Sequence, residues 1–338
     1  MLQSSYKKED VTLLIKDLTG LVTPVSVEEK DARVKNGEFE RSIMIKEYPI
    51  SDEYREIVWD SMKDYAKQTA IAVGNVAEQI YAQKGKNLVL VSIIRAGIPI
   101  GILIKKYLKM RYDVDIPHYA ISLVKGLDDN AMKYILSKHK AEGIQFIDGW
   151  TGKGTVTREL IASAKNYKDV DPSLAVLSDA IGVAKYCGIR EDIAIPSAPL
   201  NASVTGLVSI TIFNNELVGK NDFHGAMYLK DLEPIDKSQE FIDIISSKFE
   251  PCENNFSEPI EINEVKKISE DLNIPLNLIN PGINEAARAI LRRNLDKLLV
   301  VDKNEKDVQY ICKLAKLKNI NIVEYPLKHY KAVSIAKN

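Results

Sequence analysis

The chain has 338 residues, of which 45% are hydrophobic and 28% charged, and its formal net charge is −1. This length suggests two domains, and the composition is typical of a globular protein. Because the net charge is near zero, the overall charge gives no indication that the chain binds nucleic acid or membranes. We expect no signal peptide and no membrane span, because no apolar run reaches about 18 residues. The three scattered cysteines form no disulfide framework, which favours a reducing cytoplasm.

The pattern of apolar and polar residues predicts an α/β domain over residues 1–250. A helix-like stretch covers Asp10 to Leu18, and a long amphipathic helix covers Ser51 to Gln83. Buried-strand patterns then alternate with helical ones, at 87–94, 116–124, 144–147 and 174–178. This alternation predicts a parallel sheet. Ligands bind at the carboxyl ends of such strands, so the polar residues that follow them are candidate site residues.

The first of these strand ends carries Arg95, Ala96 and Gly97. A glycine beside an arginine can present backbone N–H groups to an anion, which predicts a pyrophosphate-binding loop. An ordinary strand-to-helix turn is the alternative.

The next strand leads into a polar turn. Ser122, Lys125 and Asp128 are candidates for a mobile hood that excludes water from a reaction. A simple solvent loop is the alternative.

The most informative stretch is residues 146–156, which read Phe-Ile-Asp-Gly-Trp-Thr-Gly-Lys-Gly-Thr-Val. An apolar strand ends in one acid, and a loop rich in glycine and threonine opens a helix. Backbone N–H groups and the helix N-terminus favour an anion, and the acid can accept hydrogen bonds from ribose hydroxyls. A Walker A loop fails on spacing, and a Rossmann loop matches only in part. We therefore predict a phosphoribosyl pyrophosphate (PRPP) site formed by Asp148, Gly149, Thr151, Gly152, Lys153, Gly154 and Thr155.

Residues after the following strands are candidates for the acceptor or Mg²⁺ side of this site. Asp179 follows the strand at 174–178, with a helix cap as the alternative. Arg190 and Asn201 lie in a polar segment that favours substrate binding. No histidine has a spacing that singles out a partner for Cys187, so a buried thiol is the simpler interpretation.

A change of composition separates the C-terminal part of the chain. Residues 250–262 contain two prolines and two asparagines, which predicts a linker over residues 251–258. Residues 259–338 then carry a net charge of +4. Within them, Gly282, Asn284, Glu285 and Arg288 open a helix with groups that suit base edges and phosphate, which predicts RNA binding. A capped helix start is the alternative.

Taken together, these residues resemble a known family. Residues 5–250 are similar to the phosphoribosyltransferase-like StiP family of tellurite-resistance (Ter) stress gene clusters, whose members are described as cysteine proteases. Residues 259–338 resemble a pelota/L7Ae-like RNA-binding domain, with Gly282-x-Asn284-Glu285 as the matching motif. The stretches that carry the StiP resemblance are Ser5-Tyr6, Glu9-Asp-Val-Thr-Leu-Leu, Arg95-Ala-Gly-Ile-Pro-Ile-Gly, His118-Tyr-Ala-Ile-Ser, Asp148-Gly-Trp-Thr-Gly-Lys-Gly, Ile195-Pro-Ser-Ala and Leu200-Asn.

The resemblance implies a type I phosphoribosyltransferase-like parallel sheet domain followed by a small α/β/α domain. It implies PRPP with Mg²⁺ as ligand, structured RNA as a further partner, and a homodimer as one option, with no membrane association. The predicted function is PRPP-dependent phosphoribosyl transfer to a base-like acceptor in a stress response. The alternative is a non-catalytic PRPP-sensing or RNA-binding regulator, which the single acid at Asp148 favours, since Ile147 replaces a second one.

Three positions depart from the pattern that the resemblance leads us to expect. Ile147 is the first, and the second is Lys125, where an arginine-rich turn is expected. The third is Pro199, which stands where a cysteine is expected. Since a chain without that cysteine could not use it as a nucleophile, the sequence argues against proteolysis.

Overall fold

The centre of the N-terminal domain is a six-stranded sheet in which every neighbouring pair is parallel. The computed structural model describes residues 2–337. The parallel sheet predicted from the alternating pattern is confirmed. In sheet order, the strands are β1 (Thr12–Leu13), β4 (His118–Ile121), β3 (Val89–Ile93), β5 (Ile144–Ile147), β6 (Leu174–Ser178) and β7 (Tyr186–Ile189).

The predicted helix from Asp10 to Leu18 does not form. Strand β1 and a second short strand, β2 (Lys16–Asp17), occupy this stretch, and β2 pairs with β8 (Gly225–Ala226). The reason is tertiary: Leu14 N–H donates to the Ala120 carbonyl, so the segment extends the sheet edge beside β4. Pairing with a neighbouring strand outweighs a weak local helical preference.

A 33-residue helix, α2 (Asp52–Lys84), is the longest element of the fold. Ser51 caps it by accepting a hydrogen bond from Tyr54 N–H. Its alanine- and valine-rich face, from Ala66 to Ala77, is buried in the main core with α3 (Gly97–Tyr112). The other helices of this domain are α1 (Val27–Lys35), α4 (Asp129–Leu136), α5 (Thr155–Ala164) and α6 (Ser238–Ser246).

The C-terminal domain is a second, mixed sheet with helices on both faces. Its strand order is β11-β10-β12-β9, with β10 parallel to β11 and β12 antiparallel to both β10 and β9. Alternate residues of β10 face opposite sides: Leu298 packs with α8 and α9, and Leu299 with α7. The elements are α7 (Glu264–Leu272), β9 (Ile279–Pro281), α8 (Ile283–Arg292), β10 (Leu295–Val300), α9 (Lys306–Leu317), β11 (Asn321–Glu324) and β12 (Ala332–Ala336).

One apolar cluster spans the boundary between the two domains. Tyr54, Val58 and Tyr65 of α2 belong to the same buried cluster as α8 and α9. The Tyr65 ring meets Tyr310 edge-on, with ring centroids 5.8 Å apart. Within residues 2–337, no helix is long and apolar enough to cross a membrane.

Candidate interdomain site

The loop that follows β5 lies beside the C-terminal domain. Asp148 follows the last residue of β5, and α5 begins at Thr155 after Gly154, whose φ of 70° is in the left-handed region that favours glycine. The Asp148 carboxylate accepts a hydrogen bond from Gly149 N–H at 2.8 Å. Burial raises the pKa of Asp148 to about 7, with a further rise from Glu285 and a lowering by Arg288. The acid predicted to hold ribose therefore stands next to α8.

Residues of the C-terminal domain cover this loop directly. Trp150 Nε1 donates to Glu285 Oε2 at 3.3 Å, and the Tyr330 hydroxyl donates to the Gly152 carbonyl at 3.1 Å. Lys153 Nζ donates to the Leu276 carbonyl at 2.9 Å. The sequence placed a PRPP loop and an RNA-contacting helix in separate domains, whereas the structure brings the two together.

Asp179 and Arg190 stabilise the loop through hydrogen bonds: Asp179 contacts Thr151 of the loop, and Arg190 contacts Asp179. Asp179 is fully buried and accepts from the Thr151 hydroxyl at 2.5 Å, from Arg190 Nη1 at 2.5 Å, and from two backbone N–H groups. Arg190 also donates to the Ser257 carbonyl of the linker. In this structure Asp179 and Arg190 hold the loop in place, and a contact of either residue with an acceptor or Mg²⁺ stays a prediction.

The sequence led us to expect Mg²⁺ only together with PRPP, and no metal site formed by the protein alone. Among residues 2–337, no group of three or more histidine, cysteine or acidic side chains is arranged to hold a metal ion. Asp179 is fully engaged by donors, and one oxygen of Asp148 is taken by Gly149 N–H. Mg²⁺ is commonly bound by one or two carboxylates together with substrate phosphates and water, so the expectation of Mg²⁺ beside a phosphate ligand stays a prediction.

The residues of the predicted pyrophosphate loop are buried and contact other parts of the protein. Arg95 is 6% exposed and forms a two-point ion pair with Glu47, at 2.5 and 3.0 Å, while donating to the Val208 carbonyl. Ala96 precedes α3 and Gly97 begins it. A Cβ added to Gly97 would lie 2.4 Å from the Ile147 carbonyl oxygen. Gly97 thus allows α3 to pack tightly on β5, and Arg95 is committed to Glu47.

The predicted hood residues hold a loop in place. Ser122 Oγ lies 3.0 Å from His224 Nδ1, and Asp128 caps α4 while accepting from His224 N–H at 2.6 Å. Lys125 is exposed, with its ammonium 4.4 Å from the Phe39 ring centroid. Asn201 likewise caps a single turn and donates to the Tyr48 carbonyl. These side chains do not converge on Asp148.

The first residues of the Gly282–Arg288 segment are buried against the N-terminal domain, whereas Glu285 and Arg288 are half-buried. Gly282 has φ 87°, and the carboxylate of Asp192 accepts from Ile283 N–H and Lys331 N–H, capping α8 from the other domain. Asn284 is 1% exposed; its amide accepts from Ile195 N–H at 2.7 Å and donates to the Ile193 carbonyl at 2.8 Å. Asn284 therefore makes an interdomain contact and does not face solvent as an RNA-reading residue would.

Glu285, Arg288 and Arg292 remain half-buried at this boundary. The guanidinium of Arg288 lies 3.4 Å from Glu285. Arg292 has no ion-pair or hydrogen-bond partner among the described residues. Burial lowers the pKa of Arg292 well below its usual value, and the charges of Arg288 and Arg95 lower it further, while those of Glu47 and Glu285 raise it. We call Asp148, Trp150, Glu285, Arg288 and Arg292 the interdomain junction. Sequence reasoning missed Trp150 and Arg292 as site residues, although four-residue spacing places Arg292 on the face of Arg288.

None of the three thiols has the surroundings of an activated nucleophile. Cys187 is buried on β7, donates to the Ile189 carbonyl, and has a pKa raised by burial to about 12. Cys312 is buried on α9, and Cys252 is half-buried; burial raises the pKa of both. Within the described part of the chain, no imidazole hydrogen-bonds to a thiol, and His118 instead lies 2.8 Å from Ser92 Oγ.

Comparison with known proteins decides the family. A family model described as "Tellurite-like stress resistance cysteine protease StiP" matches residues 4–246. The chain belongs to the StiP family. A model described as "PELOTA RNA binding domain" matches residues 260–338 of this StiP-family chain. A relative from Acinetobacter baylyi, named "Cysteine protease StiP", is 29% identical over 359 residues, covering 98% of this chain and 93% of the relative. The resemblance to StiP with a pelota domain is thus confirmed.

The same comparisons contradict the predicted activity. The predictions of PRPP-dependent transfer and of PRPP sensing are wrong, because both the StiP family and the relative are described as cysteine proteases. The expectation that proteolysis is excluded conflicts with the same descriptions. The error arose because a glycine-rich loop after a parallel strand serves many unrelated reactions, so the loop indicates an architecture more than a chemistry.

Proposed function

We propose that this StiP-family chain binds structured RNA through its C-terminal domain as part of a stress response. The observation that carries the proposal is the match of residues 260–338 to an RNA-binding domain. The net charge of +4 over residues 259–338 and the partly exposed Arg288 support it, since basic side chains supply most of the affinity for phosphate.

Fluorescence anisotropy with labelled RNA tests this function. We expect the full chain to bind a hairpin with an asymmetric internal loop more tightly than a fully paired hairpin of equal length, because unpaired bases expose their edges. The logarithm of the binding constant is expected to fall linearly with the logarithm of salt concentration. No anisotropy change with either RNA at low salt would refute the proposal.

A second candidate function is thiol-dependent peptide hydrolysis, favoured by the description of the family and the name of the relative. In such a reaction a thiolate attacks the peptide carbonyl, the amine leaves, and water then releases the acyl group. Cys252 is the thiol that a peptide could reach, since Cys187 and Cys312 are buried. The raised pKa of Cys252 means that this activity would need a rearrangement that brings a base to the thiol.

Hydrolysis of a fluorescent casein substrate tests this candidate. We expect iodoacetamide and Cys252→Ala to abolish hydrolysis, whereas Cys187→Ala, the matched buried-thiol control, leaves it largely unchanged. Hydrolysis that survives alkylation of all three cysteines would exclude a thiol nucleophile.

We also propose that the N-terminal domain has a type I phosphoribosyltransferase-like fold, without the corresponding activity. The parallel sheet and the acid-and-glycine loop between β5 and α5 support this relationship. Superposition of an experimental structure on proteins of that fold tests it, and a different strand order in the core would reject it.

A further inference from the structure

One arginine of the interdomain junction, Arg292, lacks a direct partner, and the role proposed for it rests on the RNA-binding function proposed above. Arg288 and Arg292 lie one turn apart on α8, and Arg95 is near enough for its charge to act on Arg292. The carboxylate of Glu47 is taken by Arg95 and by Ala202 N–H, and that of Glu285 by Trp150 and Arg288. Arg292 therefore forms no direct ion pair or hydrogen bond among the described residues, although the charges of Glu47 and Glu285 act on it.

Arg292 is half-buried, and its N–H donors have no direct partner among the described residues. Burying a charge is costly unless it is paired, and like charges nearby add to the cost. The remaining acid of the junction, Asp148, forms no ion pair with Arg288 or Arg292 among the described residues, and its carboxylate accepts from Gly149 N–H. An added anion would give Arg292 a direct partner, and the planar guanidinium group suits the oxygens of a phosphate especially well.

An aromatic side chain from the other domain lies at the same place. Trp150 is half-buried and its Nε1 donates to Glu285, one helical turn before Arg288. RNA-binding sites combine cationic side chains for phosphate with aromatic ones that nucleotides approach. We propose that an RNA phosphate binds Arg288 and Arg292 at the interdomain junction, so that the RNA site is composite and includes Trp150 of the N-terminal domain.

The two tryptophans of the chain, Trp59 and Trp150, make the proposal directly measurable. In a Trp59→Phe background, tryptophan emission reports on Trp150 alone. Titration with the internal-loop hairpin is expected to change this emission with the same midpoint as the anisotropy of the labelled RNA. This readout leaves both arginines intact and therefore does not depend on whether an arginine variant folds.

The arginine contribution is tested by Arg292→Ala, with the exposed Lys313→Ala on α9 as a control of equal charge loss. We expect Arg292→Ala to weaken binding and to lower the slope of log K against log salt by roughly 0.7 to 0.9, the value for one phosphate contact. Lys313→Ala is expected to leave the slope and the Trp150 response unchanged.

The outcomes separate the two proposals. No binding of RNA to the wild-type chain refutes the RNA-binding function itself. Binding that leaves Trp150 emission unchanged, with Arg292→Ala equal to Lys313→Ala, overturns the composite site and places the RNA elsewhere on the C-terminal domain.

Discussion

At the scale of single residues, Asp148 shows that the electrostatic environment of a side chain depends on residues distant in sequence. The sequence predicted a ribose-binding carboxylate at the end of β5, and the structure does place the acid there. The neighbours that set its charge, Glu285 and Arg288, come from the other domain. Short-range sequence pattern was enough to predict where Asp148 lies. Its electrostatic surroundings depend on tertiary packing, because Glu285 and Arg288 are more than a hundred residues away in the sequence.

Replacing Asp148 with Asn should change how stability depends on pH. The folded-state pKa of about 7 lies above the unfolded value near 3.9, so the folded protein binds the proton more tightly. The resulting stabilisation is fully present below about pH 4 and is lost as pH rises through 7. Compared with wild type, Asp148→Asn should lose less stability over this range, by about 1 kcal/mol after allowing for solvent screening.

Urea denaturation at pH 4.5 and pH 8 measures this difference. The exposed Asp231→Asn serves as control and should follow the wild-type pH dependence. Parallel pH profiles for wild type and Asp148→Asn would show that Asp148 ionises as easily folded as unfolded.

At the scale of elements, α8 is the clearest case of a segment whose polar residues serve packing. Asp192 caps its first turn, and the Asn284 amide pairs with the backbone of residues 193–195. From the sequence, Asn284 could be an RNA contact or part of a capped helix start. An asparagine makes similar hydrogen bonds to a base edge and to a peptide backbone, so sequence pattern does not distinguish them.

Asn284→Ala should loosen the contact between the domains. The substitution leaves the Ile195 N–H and the Ile193 carbonyl buried without partners, which costs about 2 kcal/mol. Local opening should then increase, and a glutamate-specific protease should cut the 251–262 segment faster, at Glu253, Glu258 or Glu261.

Asn277→Ala is the matched control, because Asn277 is exposed in the same domain. Its cleavage rate should equal that of wild type. Equal rates for all three proteins would contradict a docking role for Asn284.

At the scale of the whole molecule, we expect the apolar cluster that spans both domains to make them unfold cooperatively. Tyr54, Val58 and Tyr65 of α2 pack in one cluster with α8 and α9. Apolar burial across a boundary of this kind couples unfolding on the two sides. We therefore expect the wild-type chain to unfold in one calorimetric transition.

Tyr65→Ala should weaken that coupling. The variant removes a ring that is 5% exposed, its edge-on contact with Tyr310 and its hydrogen bond to the Lys306 carbonyl, at a cost of about 3 kcal/mol. Calorimetry should show two transitions, the first at a lower temperature than the wild-type transition, because the C-terminal domain then unfolds separately. Tyr48→Ala, at a ring that is 58% exposed, should behave as wild type. A single unshifted transition in Tyr65→Ala would disprove that this cluster couples the two domains.

By itself, the sequence determined the features that depend on local pattern: the parallel sheet, the long helix α2, the acid-and-glycine loop, and the resemblance to StiP with a pelota domain. Hydrophobic periodicity and turn residues encode these within short windows. It misjudged the Asp10–Leu18 segment, since a strand at a sheet edge is stabilised by distant partners. Only the tertiary structure decided that Arg95, Asp179 and Asn284 are held by structural partners, and that the glycine loop and α8 form one junction. Whether a polar side chain is free or occupied depends on what packs against it, and the packing partners here lie far apart in the chain.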